Sequence, residues 1–239
     1  MITLNDYLYS GDTVLRILKK YIADLRISAV QKHNEVDLVH CNFLIQIMKL
    51  LEHNDFLTSQ SQKIREFYKY MAQEYPYLSF TFKGRIKSLI RAEGKFNGYI
   101  VEYIYDYYEK NGSYPSVSEI KERLNCFRDL IAYRIVISMP RCHMKQKQDR
   151  KKEEIRYLYR IANVLPQFLE ERGFTAEPTG GVKRSNSLLL DDAVRPYYRD
   201  YIDGESTNSY RSLHITFFDN SARCYMEMQL RTKEMDDIA

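Results

Sequence analysis

Two neighbouring segments near the end of the sequence alternate apolar and polar residues. They span 213–218 and 223–231, and the polar tripeptide Asp219-Asn220-Ser221 lies between them. A β-strand places successive side chains on opposite faces, so this period of two predicts two strands joined as a hairpin. The hairpin would collect polar residues on one side of a sheet, namely Ser212, His214 and Thr216 from the first strand and Glu227, Gln229 and Arg231 from the second.

This polar side has two interpretations. On an isolated strand, such a pattern is usually a solvated outer face of a sheet. If the hairpin forms, however, His214 comes close to Glu227 and Gln229, and an imidazole, a carboxylate and an amide then share one surface. We therefore expect a candidate site on this hairpin.

The N-terminal third of the chain has helical rather than alternating periodicity. A short alternating stretch, 78–82, predicts a strand that Gly84 ends. One long helix is then predicted over 86–109, and Asn111-Gly112 ends it. Before these elements, apolar residues recur every three or four positions and predict three helices, at 13–33, 36–53 and 59–74.

Strands and helices alternate in the second half. Ser116 and Glu119 fit a capping box for a helix that ends near Cys126. The predicted class is therefore α+β, with a mixed sheet packed by helices. We expect an N-terminal helical region at 1–75 and a second domain at 76–239. The remaining predicted elements are strands at 132–138 and 174–177, a helix at 152–172 that follows a basic stretch at 141–152, and an irregular segment at 188–208.

Composition argues against several classes of protein. The chain has 239 residues, 44% of them hydrophobic, and a net charge of +4, which is compatible with a polyanionic partner. No apolar run reaches transmembrane length and no signal peptide is visible, so we expect a soluble, cytoplasmic protein with no membrane contact. The cysteines are scattered, which argues against a zinc site and a disulfide framework; they are Cys41, Cys126, Cys142 and Cys224.

Two charged features suit a nucleotide and a metal ion. Lys87, Arg91 and Lys95 are spaced four apart on the predicted helix, so like charges form one row that a triphosphate would offset; a solvated basic face is the alternative. Arg85 stands at the predicted start of that helix, where free N–H groups also favour anions. Asp129 precedes the strand at 132–138, a common position for a Mg²⁺ ligand.

Taken together and in order, five segments resemble the synthetase domain of RelA/SpoT-type alarmone synthetases. The resemblance covers roughly Phe80 to the C-terminus and implies a nucleotidyltransferase-like fold. It also implies a pyrophosphokinase that uses Mg²⁺ and transfers the β,γ-diphosphate of ATP to a ribose 3′-hydroxyl. The segments are Gly84–Lys87, Arg128–Ile135, Arg199–Ile202, Asn208–His214 and Glu227–Thr232.

The resemblance assigns expected roles to individual positions. Asp129 matches the Mg²⁺ ligand, and Glu227 matches the second acidic residue, a metal ligand or the base that activates the acceptor. Tyr210 matches the aromatic residue that stacks on the acceptor base. The expected ATP-binding residues are Arg85, Lys87, Arg91, Lys95 and Arg134, and the expected acceptor-binding residues are Arg199, Asn208, Tyr210, His214 and Gln229.

The acceptor loop departs from the family pattern, because Glu205–Tyr210 lacks the Lys and the Gly that grip a guanine nucleotide. With the N-terminal helices, this loop resembles toxic small alarmone synthetases, which favours the 3′ CCA end of tRNA as acceptor and implies a translation-inhibiting toxin with an antitoxin protein as partner. The cations expected to contact tRNA phosphates are Lys19, Lys20, Lys145, Lys147, Arg150 and Lys151.

Two alternatives remain open at this point. The chain could make alarmones from GDP, GTP or adenosine nucleotides. It could also be an inactive module that only binds a nucleotide or a protein, although retention of both Asp129 and Glu227 argues against this. The His-Asp metal motif of the hydrolase domain is absent, so alarmone hydrolysis is not expected.

Overall fold

A computed structural model describes most of the chain. It divides into two compact units, which we call the helical unit and the sheet unit. The helical unit comprises Met1–Phe56 and Lys87–Phe127, and the sheet unit comprises Leu57–Ile86 and Arg128–Ala239. The described residues within them are 14–52, 55–86, 94, 97–124, 131–144, 149–203 and 209–239.

The described residues form seven α-helices and six strands. The helices are α1 Val14–Gln31, α2 Glu35–Glu52, α3 Asp55–Glu74, α4 Glu102–Asn111, α5 Val117–Leu124, α6 Arg150–Glu170 and α7 Lys233–Ile238. The strands are β1 Ser79–Ile86, β2 Ile131–Ser138, β3 Phe174–Glu177, β4 Tyr198–Asp200, β5 Leu213–Asp219 and β6 Cys224–Thr232.

The helical unit has its own apolar core between α1 and α2. Asn34 starts α2 by accepting hydrogen bonds from the backbone N–H groups of Val36 and Asp37. A π-helical turn, Asn97–Val101, leads into α4, and Gly112 ends α4 in the left-handed conformation. The buried core residues are Leu18, Tyr21, Ile22, Leu25, Cys41 and Leu44.

The sheet unit is built on a mixed sheet in the order β1-β2-β6-β5-β3, with β4 also paired to β5. β2 and β6 are parallel, and the other pairs are antiparallel. The last strand in sequence, β6, therefore lies in the middle of the sheet. Its alternate residues Met226, Met228 and Leu230 are buried in the apolar core.

Helices α3 and α6 cover the apolar face of the sheet. From α3, Gln60 accepts a hydrogen bond from the Tyr133 hydroxyl of β2 at 2.7 Å. On the α6 side, the Tyr198 hydroxyl of β4 donates to the Ala162 carbonyl at 2.6 Å. Phe168 of α6 packs against aromatic rings of α3. The opposite face of the sheet is thereby left to the polar side chains.

The predicted fold class is confirmed: the protein is α+β, with a mixed sheet packed by helices and with N-terminal helices before it. The hairpin of β5 and β6 and the capping box of Ser116 and Glu119 are also confirmed. Among the described helices, none combines the length and apolar character needed to cross a membrane.

The prediction that Gly84 ends the first strand is wrong. β1 continues to Ile86, so Arg85 lies in a strand and the predicted helix does not start at 86. Gly84 pairs with Tyr133, and a Cβ added to Gly84 would lie 2.8 Å from the Tyr133 ring. A glycine is thus required at this position, because the Tyr133 ring of β2 lies too close to the β1 backbone for a Cβ atom. Residues 87–93 and 95–96 of the predicted helix lie outside the described residues.

Two further elements differ from the sequence prediction. The segment 188–208, predicted to be irregular, contains a 3₁₀ turn and the short strand β4. Helix α7 was not among the predicted elements; Thr232 caps it by accepting from the N–H group of Met235. Both elements contribute side chains to the polar face.

Candidate active site

A row of polar residues crosses five adjacent strands on the open face of the sheet. Each member is the direct cross-strand partner of the next, in the order Lys83, Arg134, Gln229, His214 and Arg199. Neighbouring strands lie about 4.8 Å apart, so the row is about 19 Å long. Cross-strand partners project from the same face, and the row therefore lines one continuous surface.

Glu227 is held at one end of this surface by three partners. Arg199 donates to its Oε2 atom at 2.6 Å. Gln229 donates to Oε1 at 2.7 Å, and Nδ1 of His214 lies 3.3 Å from the same oxygen. The side chain of Glu227 is only 7% exposed. The predicted proximity of His214 to Glu227 and Gln229 is confirmed.

The surroundings keep this carboxylate ionised. Burial alone would raise the pKa of Glu227, because desolvation penalises the charged form. The hydrogen bonds from His214 and Gln229, with the electrostatic attraction of His214 and Arg199, outweigh burial and lower the pKa from 4.5 to about 2. A carboxylate that stays charged in a buried position is suited to bind cationic groups and metal ions.

Tyr210 and Arg231 link the middle of the row. The Tyr210 hydroxyl lies 2.8 Å from Nε2 of His214 and accepts a hydrogen bond from Arg231 at 2.5 Å. Arg231 also donates to Oε1 of Gln229 at 3.2 Å. The ring of Tyr201 packs 4.9 Å from the His214 ring. The hydroxyl of Tyr210 is therefore engaged by the polar network.

A second carboxylate, Asp236 of α7, gathers three cations at the other end. Its Oδ1 atom accepts from Arg134 at 2.8 Å and from Arg231 at 3.4 Å, and its Oδ2 atom lies 3.6 Å from the Lys83 ammonium. Burial raises the pKa of Asp236, but the charges of Arg134, Lys83 and Arg231 outweigh burial and lower it. In the whole network, four cationic side chains accompany two carboxylates, so the surface suits an anion.

The structure brings together many of the predicted site residues on this one face: Arg134, Arg199, Tyr210, His214, Glu227 and Gln229. The backbone of Arg85 pairs with Ala132, which in turn pairs with Glu227. Seven residues of the predicted ATP, metal, acceptor and tRNA sets lie outside the described residues: Lys87, Arg91, Lys95, Asp129, Asn208, Lys145 and Lys147.

The remaining cations expected to contact tRNA belong to both units. Lys19 and Lys20 are exposed on α1 of the helical unit. Arg150 pairs with Glu154 at 3.0 Å and donates to the Ser138 hydroxyl. Lys151 pairs with Glu234 at 2.6 Å on the surface. Arg150 and Lys151 therefore already have acidic partners within the sheet unit.

Glu227 fits the role of a magnesium ligand, since an ionised carboxylate is the oxygen donor that Mg²⁺ prefers. Ala132 of β2, the cross-strand partner of Glu227 on the same face, has a small side chain. The second expected ligand, Asp129, lies outside the described residues. Among the side chains that are described, no group of three His, Cys, Asp or Glu residues is arranged to bind a metal ion.

Three residues of the network were not among the predicted site residues: Lys83, Arg231 and Asp236. Alternation along β6 already placed Arg231 on the polar face but gave it no role, and the same alternation along β1 could have identified Lys83. Asp236 had no comparable signal, because it lies on a six-residue helix and contacts Arg134, which is 102 positions away.

The part of the chain that carries most of this network also matches a protein-family model. A family model described as "Region found in RelA / SpoT proteins" matches residues 184–239. The matched segment is roughly a quarter of the chain and includes β4, β5, β6 and α7, which carry Arg199, His214, Glu227 and Asp236. A search of curated proteins found no match to the chain. The family match supports the resemblance to the synthetase domain and, with it, transfer of pyrophosphate as the general activity.

Proposed function

We propose that this protein is a pyrophosphokinase that transfers the β,γ-diphosphate of ATP to the ribose 3′-hydroxyl of a nucleotide or a nucleic acid. The observation that carries the proposal is the polar surface on which Glu227 stays ionised beside Arg199 and His214 while three cations cluster around Asp236. Phosphoryl-type transfer depends on positioning and charge neutralisation, and such a surface supplies both.

The reaction exchanges one P–O bond for another, and the proton of the acceptor hydroxyl passes to solvent. The acceptor oxygen attacks the β-phosphorus of ATP, the bond from that phosphorus to the α-phosphate oxygen breaks, and AMP leaves. Lys83, Arg134 and Arg231 would bind the negative charges of the donor nucleotide. Glu227 would hold the acceptor hydroxyl by accepting its hydrogen bond, and Arg199 would move from Glu227 to a phosphate when substrate enters.

A magnesium ion would be held by Glu227 and Asp129, and when bound it would offset the charge of the transferred diphosphate. This assignment is part of the proposal. It is supported by the ionised state of Glu227 and by the sequence position of Asp129 before β2.

For the acceptor, we favour the 3′ end of tRNA. The loop that ends at Tyr210 lacks the Lys and the Gly associated with a guanine nucleotide, and an aromatic ring can stack on a terminal adenine. Exposed cations at Lys19 and Lys20 would add contacts to the phosphate backbone. Modified tRNA would have no free 3′-hydroxyl and could not be aminoacylated, so the protein would act as a toxin that stops translation.

The test is incubation of the purified protein with ATP labelled in the γ-phosphate, with Mg²⁺ and with tRNA, GTP, GDP or ATP as acceptor in separate reactions. We expect label in tRNA, and none when the 3′-terminal ribose has been oxidised by periodate. Asp129→Asn and Glu227→Gln should each reduce the transfer by orders of magnitude.

Other outcomes distinguish the alternatives. Label in a guanine or adenine nucleotide, with tRNA unlabelled, would identify an alarmone synthetase and overturn the tRNA assignment. Binding of ATP without transfer to any acceptor would favour a module that only binds nucleotides or a partner protein.

A further inference from the structure

The three cations around Asp236 come from three different strands. Lys83 lies on β1, Arg134 on β2 and Arg231 on β6, whereas Asp236 lies on α7. All three cations lie within 3.6 Å of the Asp236 carboxylate. Without a carboxylate at this point, three positive charges on neighbouring strands would repel one another at short range.

The position of Asp236 is fixed by its helix. Thr232 caps α7, and the neighbouring Met235 is buried beneath it. The side chain of Asp236 is 10% exposed, whereas that of the adjacent Asp237 is 59% exposed and pairs with Lys233 at the surface. Of two consecutive carboxylates, only Asp236 is directed at the polar face.

Arg134 depends on this carboxylate most directly. Its Nη1 atom donates to Asp236 at 2.8 Å, which leaves the other side of the guanidinium for a further acceptor. The Nε atom of Arg134 is buried and has no hydrogen-bond partner among the described residues. A buried donor without an acceptor is costly, which is consistent with a group prepared for a ligand.

We propose that Asp236 is a positioning residue that holds Arg134 in the orientation needed to bind the donor nucleotide. A guanidinium recognises an anion through a planar fork of donors, so its orientation matters as much as its charge. Asp236 does not touch the nucleotide; it fixes Arg134 and keeps Lys83 and Arg231 close to it. This inference rests on the proposed function, since it takes ATP as the ligand of Arg134.

The carboxylate has a second effect that acts in the opposite direction. Removing it would make the surface more positive and, through charge alone, would strengthen the binding of ATP. Positioning predicts the reverse, because the three cations would move apart once nothing holds them together. The sign of the change in ATP affinity therefore separates the two effects.

The experiment measures binding of a non-hydrolysable ATP analogue and steady-state kinetics for the wild type, Asp236→Ala and the matched control Asp237→Ala. We expect Asp236→Ala to raise the Kd for the analogue and the KM for ATP about tenfold, with the KM for the acceptor changed less than twofold. Asp237→Ala should behave as the wild type. If Asp236→Ala does not fold, Asp236→Asn is judged by the same criterion, with at least a threefold loss expected.

A double-mutant cycle tests the route through Arg134. In an Arg134→Ala background, Asp236→Ala should cause a much smaller loss of affinity than in the wild type, because its most direct partner is gone and only the contacts to Lys83 and Arg231 remain. An equal loss in both backgrounds, an unchanged affinity or a gain in affinity of Asp236→Ala would each overturn the inference while leaving the proposed function in place. A wild type that binds no ATP analogue would overturn both.

Discussion

At the scale of single residues, Glu227 combines burial with a full set of hydrogen bonds. Arg199, His214 and Gln229 together occupy both of its oxygens. An unpaired buried carboxylate would become neutral, so the charge of Glu227 depends on these partners. Because these partners lower the pKa of Glu227, its ionised form stabilises the folded protein.

The first prediction concerns acid stability. The pKa of Glu227 is about 2 in the folded protein and near 4.5 when unfolded, so its contribution is present above about pH 4.5 and is lost as pH falls towards 2. The full contribution is about 3 kcal/mol. Urea unfolding from pH 7 to pH 2.5 should show the stability difference between the wild type and Glu227→Gln shrinking over this window. The exposed Glu234→Gln is the control, and parallel curves for the wild type and Glu227→Gln would contradict the prediction.

The second prediction separates the ring of Tyr210 from its hydroxyl. Stacking on the acceptor base is worth about 1–3 kcal/mol, so Tyr210→Ala should raise the KM for the acceptor tenfold or more. Tyr210→Phe keeps the ring but loses the contacts to Arg231 and His214. It should therefore retain the acceptor KM and lower kcat several-fold. Equal KM values for Tyr210→Phe and Tyr210→Ala, both raised, would argue against stacking by the ring.

At the scale of secondary-structure elements, β1 and β2 fit together through one glycine. The Tyr133 ring lies over Gly84, stacks on Phe82 and is tied by its hydroxyl to Gln60. Tyr133 is 2% exposed, so its ring cannot move aside freely. The close approach of Tyr133 to Gly84 allows β1 to continue to Ile86. As a result, Lys83 and Arg85 pair with residues of β2.

The third prediction follows from this contact. Gly84→Ala should destabilise the protein by about 1–3 kcal/mol, because the new methyl group would overlap the Tyr133 ring. Gly98→Ala is the control, since a Cβ there meets no atom within 4 Å. Thermal unfolding provides the measurement. A loss for Gly84→Ala that persists unchanged in a Tyr133→Ala background would exclude the overlap as the cause.

The fourth prediction concerns the attachment of α3 to the sheet. Gln60 is 1% exposed; it accepts from Tyr133 and donates to Asp219 of β5 at 2.9 Å. Gln60→Met should cost about 2–4 kcal/mol, because a hydroxyl and a carboxylate oxygen would each lose a buried partner. The exposed Gln62→Met on the same helix should change the free energy of unfolding by less than about 0.5 kcal/mol. Similar losses for both variants in urea unfolding would refute the role of Gln60.

The elements were predictable from sequence wherever local patterns decide them. Period-two alternation identified β5 and β6, and with them the grouping of His214, Glu227 and Gln229. The prediction that Gly84 ends β1 was wrong because the role of this glycine depends on Tyr133. Tyr133 is 49 positions away and becomes its neighbour only through strand pairing. The position of Asp236 likewise depends on the parallel pairing of β2 and β6, for which the sequence has no local signal.

At the scale of the whole molecule, the net charge of +4 bears on the choice of acceptor. Besides the cations on the polar face of the sheet, the helical unit has exposed cations on α1, at Lys19 and Lys20. A small nucleotide acceptor has no use for these positions, whereas a tRNA carries many phosphates. The dependence of acceptor binding on salt therefore reports which kind of acceptor is used.

The fifth prediction is that tRNA binding weakens steeply with salt. Each neutralised phosphate should contribute a loss of about three- to fourfold in affinity between 50 and 200 mM salt. Lys19→Glu with Lys20→Glu should weaken tRNA binding, reduce this slope and leave ATP affinity unchanged. Lys69→Glu, an exposed position in the sheet unit, is the control. A slope that is the same in the wild type and the double variant would exclude α1 as a contact surface for tRNA.

The place of β6 in the sheet also determines the order in which the protein can become active during synthesis. β6 leaves the ribosome after β2 and β5, yet it lies between them, and its residue Glu227 pairs with Ala132 across 95 positions. Contacts between such distant segments form slowly, since a long loop must close first. A nascent chain that lacks β6 has neither Glu227 nor Gln229, so the polar row cannot be completed until β6 has been translated. The complete polar surface is therefore not available to any ligand while the segments that precede β6 are being made.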